Sequence, residues 1–173
     1  MTRFGYVMTT YLVTLGIGVT ALFHPTPRLL WNASASVPTG LYALQPASPL
    51  KAGDIVAAMP PPALSRYMAV RFYLPLGLPL IKHVGALPGQ SVCRRGPTIT
   101  IDGNAIAAAR PRDHAGRPLP VWQGCHTLTA REIFLLNPSV PDSFDGRYFG
   151  LMPLASVLGR AVPLWTRGKD GSL

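Results

Sequence analysis

Acidic residues are scarce in this chain. Seven Asp and Glu stand against sixteen Lys and Arg, and charged residues of both signs make up only 13% of the 173 positions. That is well below the roughly 25% usual in soluble domains. Cysteine is nearly missing: Cys93 and Cys125 are the only two. There is no CxxC, and His24, His83, His114 and His126 show no HxxxH spacing, which argues against a metal centre. No cofactor is expected either. No GxSxG surrounds any serine, so the usual hydrolase elbow is absent. The net charge of +9 raises the question of nucleic acid. Yet no aromatic-and-basic recognition motif occurs, and Arg94, Arg95, Arg110, Arg112 and Arg117 are scattered near turn residues. A solvated basic face accounts for them, and no nucleic-acid partner is expected. Internal repeats and low-complexity segments are also lacking.

Apolar residues, proline and glycine are abundant. Nineteen prolines and 17 glycines argue against a helical bundle and for short strands joined by turns. Residues 4–23, FGYVMTTYLVTLGIGVTALF, carry no charge. Twenty helical residues at about 1.5 Å each reach roughly 30 Å, the thickness of a bilayer's hydrocarbon core. The expectation is one N-terminal transmembrane helix, longer than the apolar core of a cleaved signal peptide. Residues 1–23 then form the tail and anchor, 24–35 a connector stiffened by Pro25 and Pro27, and 36–173 a β domain. Positive charge is nearly balanced across the span, with Arg3 before it and Arg28 after it. A short tail and a large following domain favour the domain outside.

Strand patterns run through the remainder. GLYAL (40–44) and DIVAAM (54–59) read as strands, whereas ALSRYMAVRFYL (63–74) fits either a helix or a strand. PLIKHVGAL (79–87) is apolar except at Lys82 and His83. SVCRR precedes TITIDGNAIA (98–107), a hairpin turning on Asp102-Gly103. HTLTAREIFLLN (126–137) contains a strand, PSVPDSFDGRYFG (138–150) is a loop, VLGRAVPLWT (157–166) closes the sheet, and GKDGSL is a loose tail. The predicted fold class is mainly β: a small, irregular antiparallel domain. Outside the cytosol, Cys93 and Cys125 are candidates for a disulfide; the alternative is two small buried hydrophobes.

Two stretches carry the chemistry. NASASVPTGLY (32–42) has two readings: Ala33-Ser34-Ala35 as a small-residue cleavage site, or Ser36 as a nucleophile. A serine needs a base. Lys82 and His83 point to opposite faces of their strand, so one of them turns inward. A lysine held in apolar surroundings loses affinity for its proton and can serve as a base near neutral pH. The residues alone leave open a surface Lys82 with His83 inside.

NASASVPTGLY, then IKHVGALPG, then SFDGRYFG, in that order behind an anchor, resemble the type I signal peptidases. The Pro-x-Gly-Leu-Tyr after the serine, AGRPLP (115–120) and SFDGRYFG (143–150) are most similar to the TraF-type conjugative-transfer branch. The resemblance implies a signal-peptidase-like β fold and a Ser36–Lys82 dyad, with Ser34 assisting an oxyanion hole. It implies Ser143 orienting the lysine, and Asp145 either bracing its loop with Arg147 or supporting the dyad. Gly146 stands where relatives often have serine, and His83 where they often have arginine. The implied partner is a membrane-embedded, pilin-like precursor, cut at the outer face of a bacterial inner membrane within a conjugation or secretion machine. The implied chemistry is hydrolysis or ligation. A housekeeping signal peptidase and an inactive scaffold are the alternatives. Ala33-Ser34-Ala35 then reads as the approach to the nucleophile.

Overall fold

A computed structural model describes residues 2–22 and 28–167. The Pro25–Pro27 connector and the GKDGSL tail lie outside them. The apolar N-terminal run forms a helix, α1 (Arg3–Leu22). Its threonines return their hydroxyls to the helix: Thr9 to the Gly5 carbonyl at 2.9 Å, Thr10 to Tyr6 at 2.9 Å and Thr14 to Thr10 at 2.8 Å. From Thr2 to Thr20 its residues are exposed, apart from a half-buried Gly5. Among the described residues, no helix is long and apolar enough to cross a membrane. Arg3, the threonines and the glycines dilute the hydropathy of this one.

The remaining described residues build two antiparallel sheets. The larger contains β1 (Leu29–Asn32), β2 (Gly40–Gln45), β3 (Ile55–Ala58), β4 (Leu80–Ala86), β9 (Glu132–Leu136), β10 (Met152–Pro153) and β11 (Val157–Thr166), in the order β1-β2-β11-β3-β4-β9-β10. The smaller contains β5 (Ser91–Arg95), β6 (Thr98–Ile101), β7 (Asn104–Ala108) and β8 (Gly124–Thr127), in the order β7-β6-β5-β8. Leu29–Asn32, read above as connector, pairs with β2 and belongs to the sheet. The ambiguous 63–74 stretch is helical over α2 (Pro62–Val70). Pro62 suits a first helical turn, where a missing N–H costs nothing. Met68 then packs with Val56, Leu80 and Leu135 in the main core.

The smaller sheet follows the turn signal. Ile101 pairs with Asn104, and Asp102 and Gly103 both take positive φ (49° and 82°), as a two-residue hairpin turn requires. Cys93 and Cys125 face each other across β5 and β8 and are disulfide-bonded. Ala86, Val92, Ile99, Phe134 and Leu136 bury a second core that joins the two sheets.

Candidate active site

The loop between β1 and β2 carries Ser34 and Ser36. It has no strand partner, and one buried amide gathers it. Asn32 Nδ2 donates to the carbonyls of Ser34 (2.9 Å), Val37 (3.1 Å) and Pro38 (3.0 Å). Its Oδ1 accepts from the Ser34 main-chain N–H at 3.0 Å and the Ser34 hydroxyl at 2.9 Å. Tyr42 adds a hydroxyl bond to the Pro38 carbonyl at 2.6 Å. Gly40 ends the loop at φ 148°, and a Cβ there would lie 2.1 Å from the Trp165 carbonyl oxygen, so only glycine lets β2 approach β11. Ser36 remains half-buried, its Oγ 3.1 Å from Ser34 Oγ.

Lys82 lies in the middle of β4, opposite Val56 of β3. Between it and His83, the lysine is the residue that turns inward: only 5% of Lys82 is exposed, while His83 is half-buried on the other face. Its ammonium donates to Ser143 Oγ at 2.7 Å. Burial is the largest influence on this group; Asp145 pulls the other way and Arg147 adds to burial, and the pKa settles at about 8. Lys82 and Ser36 do not hydrogen-bond to each other in this resting arrangement. Both line one cleft of about 680 Å³, together with Ser34 and Ser143. Its walls are largely apolar, including Leu30, Trp31, Met68, Leu80 and Ile81.

Ser143, Phe144 and Tyr148 give the cleft its floor, on a segment that runs into a short helix, α3 (Gly146–Phe149). Asp145 and Arg147 are fully enclosed, at 0% and 1% exposure. Asp145 Oδ1 accepts from Arg147 Nε at 2.9 Å and Oδ2 from Arg147 Nη2 at 2.8 Å, and Oδ2 also accepts from the Asn137 main-chain N–H at 3.0 Å. Arg147 Nη2 in turn donates to the carbonyls of Val140 and Ser143, at 2.8 and 3.1 Å. The carboxylate therefore braces the loop, and it reaches Lys82 through its field rather than through a bond. Gly146 has no room for a side chain: a Cβ would come within 2.5 Å of the Phe134 ring and 2.6 Å of the Leu135 carbonyl oxygen. The smaller sheet and the loop before β8 hold this floor from behind. Trp122 Nε1 donates to the Gly146 carbonyl at 3.0 Å, and the buried Arg94 donates to that of Arg147 at 2.5 Å.

Two site residues were not singled out from the sequence, Asn32 and Asn137. Each follows three apolar residues at the end of a strand, in LLWN and FLLN. A polar residue at a strand end ordinarily reads as solvated, yet both are buried. Asn137 Nδ2 donates to the Ser36 carbonyl at 2.7 Å and comes within 3.4 Å of Ser143 Oγ.

Comparison with known proteins shows which family the chain is similar to. The family model described as signal peptidase, peptidase S26, matches residues 1–165. Conjugal transfer protein TraF of Agrobacterium fabrum is 35% identical over 145 residues, covering 78% of this chain and 81% of the relative. A plasmid transfer protein TraF of Escherichia coli is 30% identical over 145 residues, with the same coverage. Among solved structures, a signal peptidase I of Enterococcus faecalis is 24% identical, covers 67% of this chain and 98% of its own, and gives a TM-score of 0.38.

Proposed function

The chain belongs to the signal peptidase S26 family, with TraF conjugal transfer proteins among its relatives, and from that premise we propose that it is a membrane-anchored serine endopeptidase in which Lys82 activates Ser36. The observation that carries this reading is the condition of Lys82. It is a lysine almost stripped of solvent, with a pKa of about 8, on the same cleft as a half-buried serine. In its neutral form it can take a proton, which an ordinary surface lysine almost never does at pH 7.

The chemistry then runs in two halves. Ser36 Oγ turns from Ser34 toward Lys82 and attacks the scissile carbonyl while its proton passes to Nζ. The oxyanion that forms is met by the Ser36 main-chain N–H and the Ser34 hydroxyl, and each such donor is worth about 3–4 kcal/mol in the transition state. The lysine ammonium gives the proton to the departing amine, leaving an acyl-enzyme. A water, deprotonated by Lys82, hydrolyses that ester and frees Ser36. Ser143 holds Nζ in place throughout, and Asp145 with Arg147 holds Ser143.

The substrate is a precursor presented as an extended strand, with small residues at the cut. The TraF relatives are named for conjugal and plasmid transfer. A pilin-like precursor of a conjugation machine is accordingly the substrate class we assign. α1 is the anchor, uncharged beyond Arg3 and with its threonine hydroxyls bonded back to its own backbone. The catalytic domain works on the periplasmic side of the inner membrane. Exposed Phe72 (93%), Leu76 and Leu78 near the cleft suit contact with lipid or with the end of an apolar segment.

The test is maturation of the precursor in membranes carrying wild-type protein, Ser36→Ala or Lys82→Ala, read by mass spectrometry of the product. Loss of the cut in both variants, with folding intact, is expected and removes the scaffold alternative. Continued cutting by both would end the peptidase reading. The product's mass also tells hydrolysis from joining of its ends.

A further inference from the structure

The geometry points to Asn137 as a positioning residue that ties the nucleophile's main chain to the strand carrying the base, a role that rests on the Ser36–Lys82 reading above. Asn137 directly follows β9 and is wholly buried. Its Oδ1 accepts two bonds from His83, from the main-chain N–H at 3.0 Å and from ring Nδ1 at 2.9 Å. Its Nδ2 donates to the Ser36 carbonyl at 2.7 Å and faces Ser143 Oγ at 3.4 Å. One amide thus touches the residue beside the base, the nucleophile's own carbonyl and the hydroxyl that orients the base. Its partners lie far from it in sequence: Ser36 is 101 residues before Asn137 and His83 is 54 before it.

The amide can face only one way. A main-chain N–H only donates, and a carbonyl oxygen only accepts. Turning the Asn137 amide over would set its NH₂ against the His83 N–H and its oxygen against the Ser36 carbonyl. The same logic decides the histidine: to bond Oδ1, ring Nδ1 must carry the proton. Asn32 and Tyr42 gather the serine loop on its own side, and the Asn137 amide is the device that ties that loop to β4. Asn137 touches neither substrate nor transferring proton, so its effect falls on the alignment of Ser36 Oγ with Nζ. Misplacing a reacting group by about 1 Å can cost on the order of 100-fold in rate.

The experiment uses the full chain in detergent micelles and the p-nitrophenyl ester of N-acetyl-alanine, whose acylation of Ser36 releases p-nitrophenolate. Asn137→Ala should slow single-turnover acylation, followed with enzyme in excess over the ester, about 100-fold with little change in the ester's apparent affinity. His83→Ala keeps the main-chain donor on Oδ1 and should cost less than about fivefold. Asn137→Asp, assayed above pH 8, keeps volume and the acceptor toward His83 but loses the donor toward Ser36; it should be slow even where Asn137→Ala fails to fold. Histidine NMR should show the Nδ1–H form of His83 in the wild type. Wild-type acylation by Asn137→Asp, or an Nε2–H His83, overturns the inference while the dyad stands, provided Ser36→Ala and Lys82→Ala are inactive. If either of those keeps single-turnover acylation, the dyad reading falls and takes this one with it.

Discussion

Raising the pH should switch the proposed peptidase activity on, and the state of Lys82 sets where. Lys82 goes from its ordinary pKa of 10.5 to about 8, chiefly because burial penalises the ammonium; Arg147 assists and Asp145 opposes. At pH 7 about one tenth of the molecules then hold a neutral lysine, against roughly one in 3,000 for an unperturbed side chain. kcat/KM on a precursor peptide should climb about tenfold for each pH unit below 7 and level off above pH 9, with a midpoint near 8 that reports the free enzyme. Stability must follow with a definite sign. Between about pH 8 and 10.5 the unfolded chain binds the lysine proton and the folded chain does not, so stability rises with pH across that window. The full change is about 3 kcal/mol, at about 1.4 kcal/mol per pH unit, and the penalty is wholly present below pH 8. Urea denaturation at pH 7, 9 and 10.5 measures it, and Lys82→Met should flatten the slope. A kcat/KM profile level from pH 6 to 10, or a midpoint near 10.5, would refute the claim that desolvation makes this lysine a base.

The floor of the cleft gives two further expectations. Asp145→Ala leaves the enclosed Arg147 guanidinium uncompensated and should cost about 3–5 kcal/mol in chemical denaturation, far more than an exposed pair such as Arg110–Asp142. Gly146→Ser should destabilise by about 1–3 kcal/mol, because its Cβ would overlap the Phe134 ring and the Leu135 carbonyl; thermal melting checks it.

Much of the cleft's chemistry is readable along the chain because its signals are local. The Asp102-Gly103 hairpin and the alternation of GLYAL each depend on a few neighbouring residues whose φ, ψ and side-chain direction are set by sterics, whereas the need for glycine at 40 comes from the Trp165 carbonyl of β11. A serine box, a lysine on an apolar strand and an SFDGR loop, in order, point to the same cleft. The helix at Pro62–Val70 was not decidable in this way, since PALSRYMAV satisfies both periods until Met68 finds Val56, Leu80 and Leu135. Nor was it decidable whether Lys82 or His83 turned inward. Alternation says that they differ, but only packing of β4 between β3 and β9 says which face is dry.

Asn32 and Asn137 mark that boundary most clearly. By sequence they are polar strand ends, and nothing near them announces burial. The fold encloses both and brings Ser36, His83 and Ser143 within reach of one amide. The sequence by itself determined the family, the hairpin turn and most strand segments, because ordered motifs, covalent neighbours and side-chain period decide those. The tertiary structure alone decided which lysine face lost its water and which amides filled the gaps. Desolvation and hydrogen-bond partnership depend on chain segments that meet only when the sheets close.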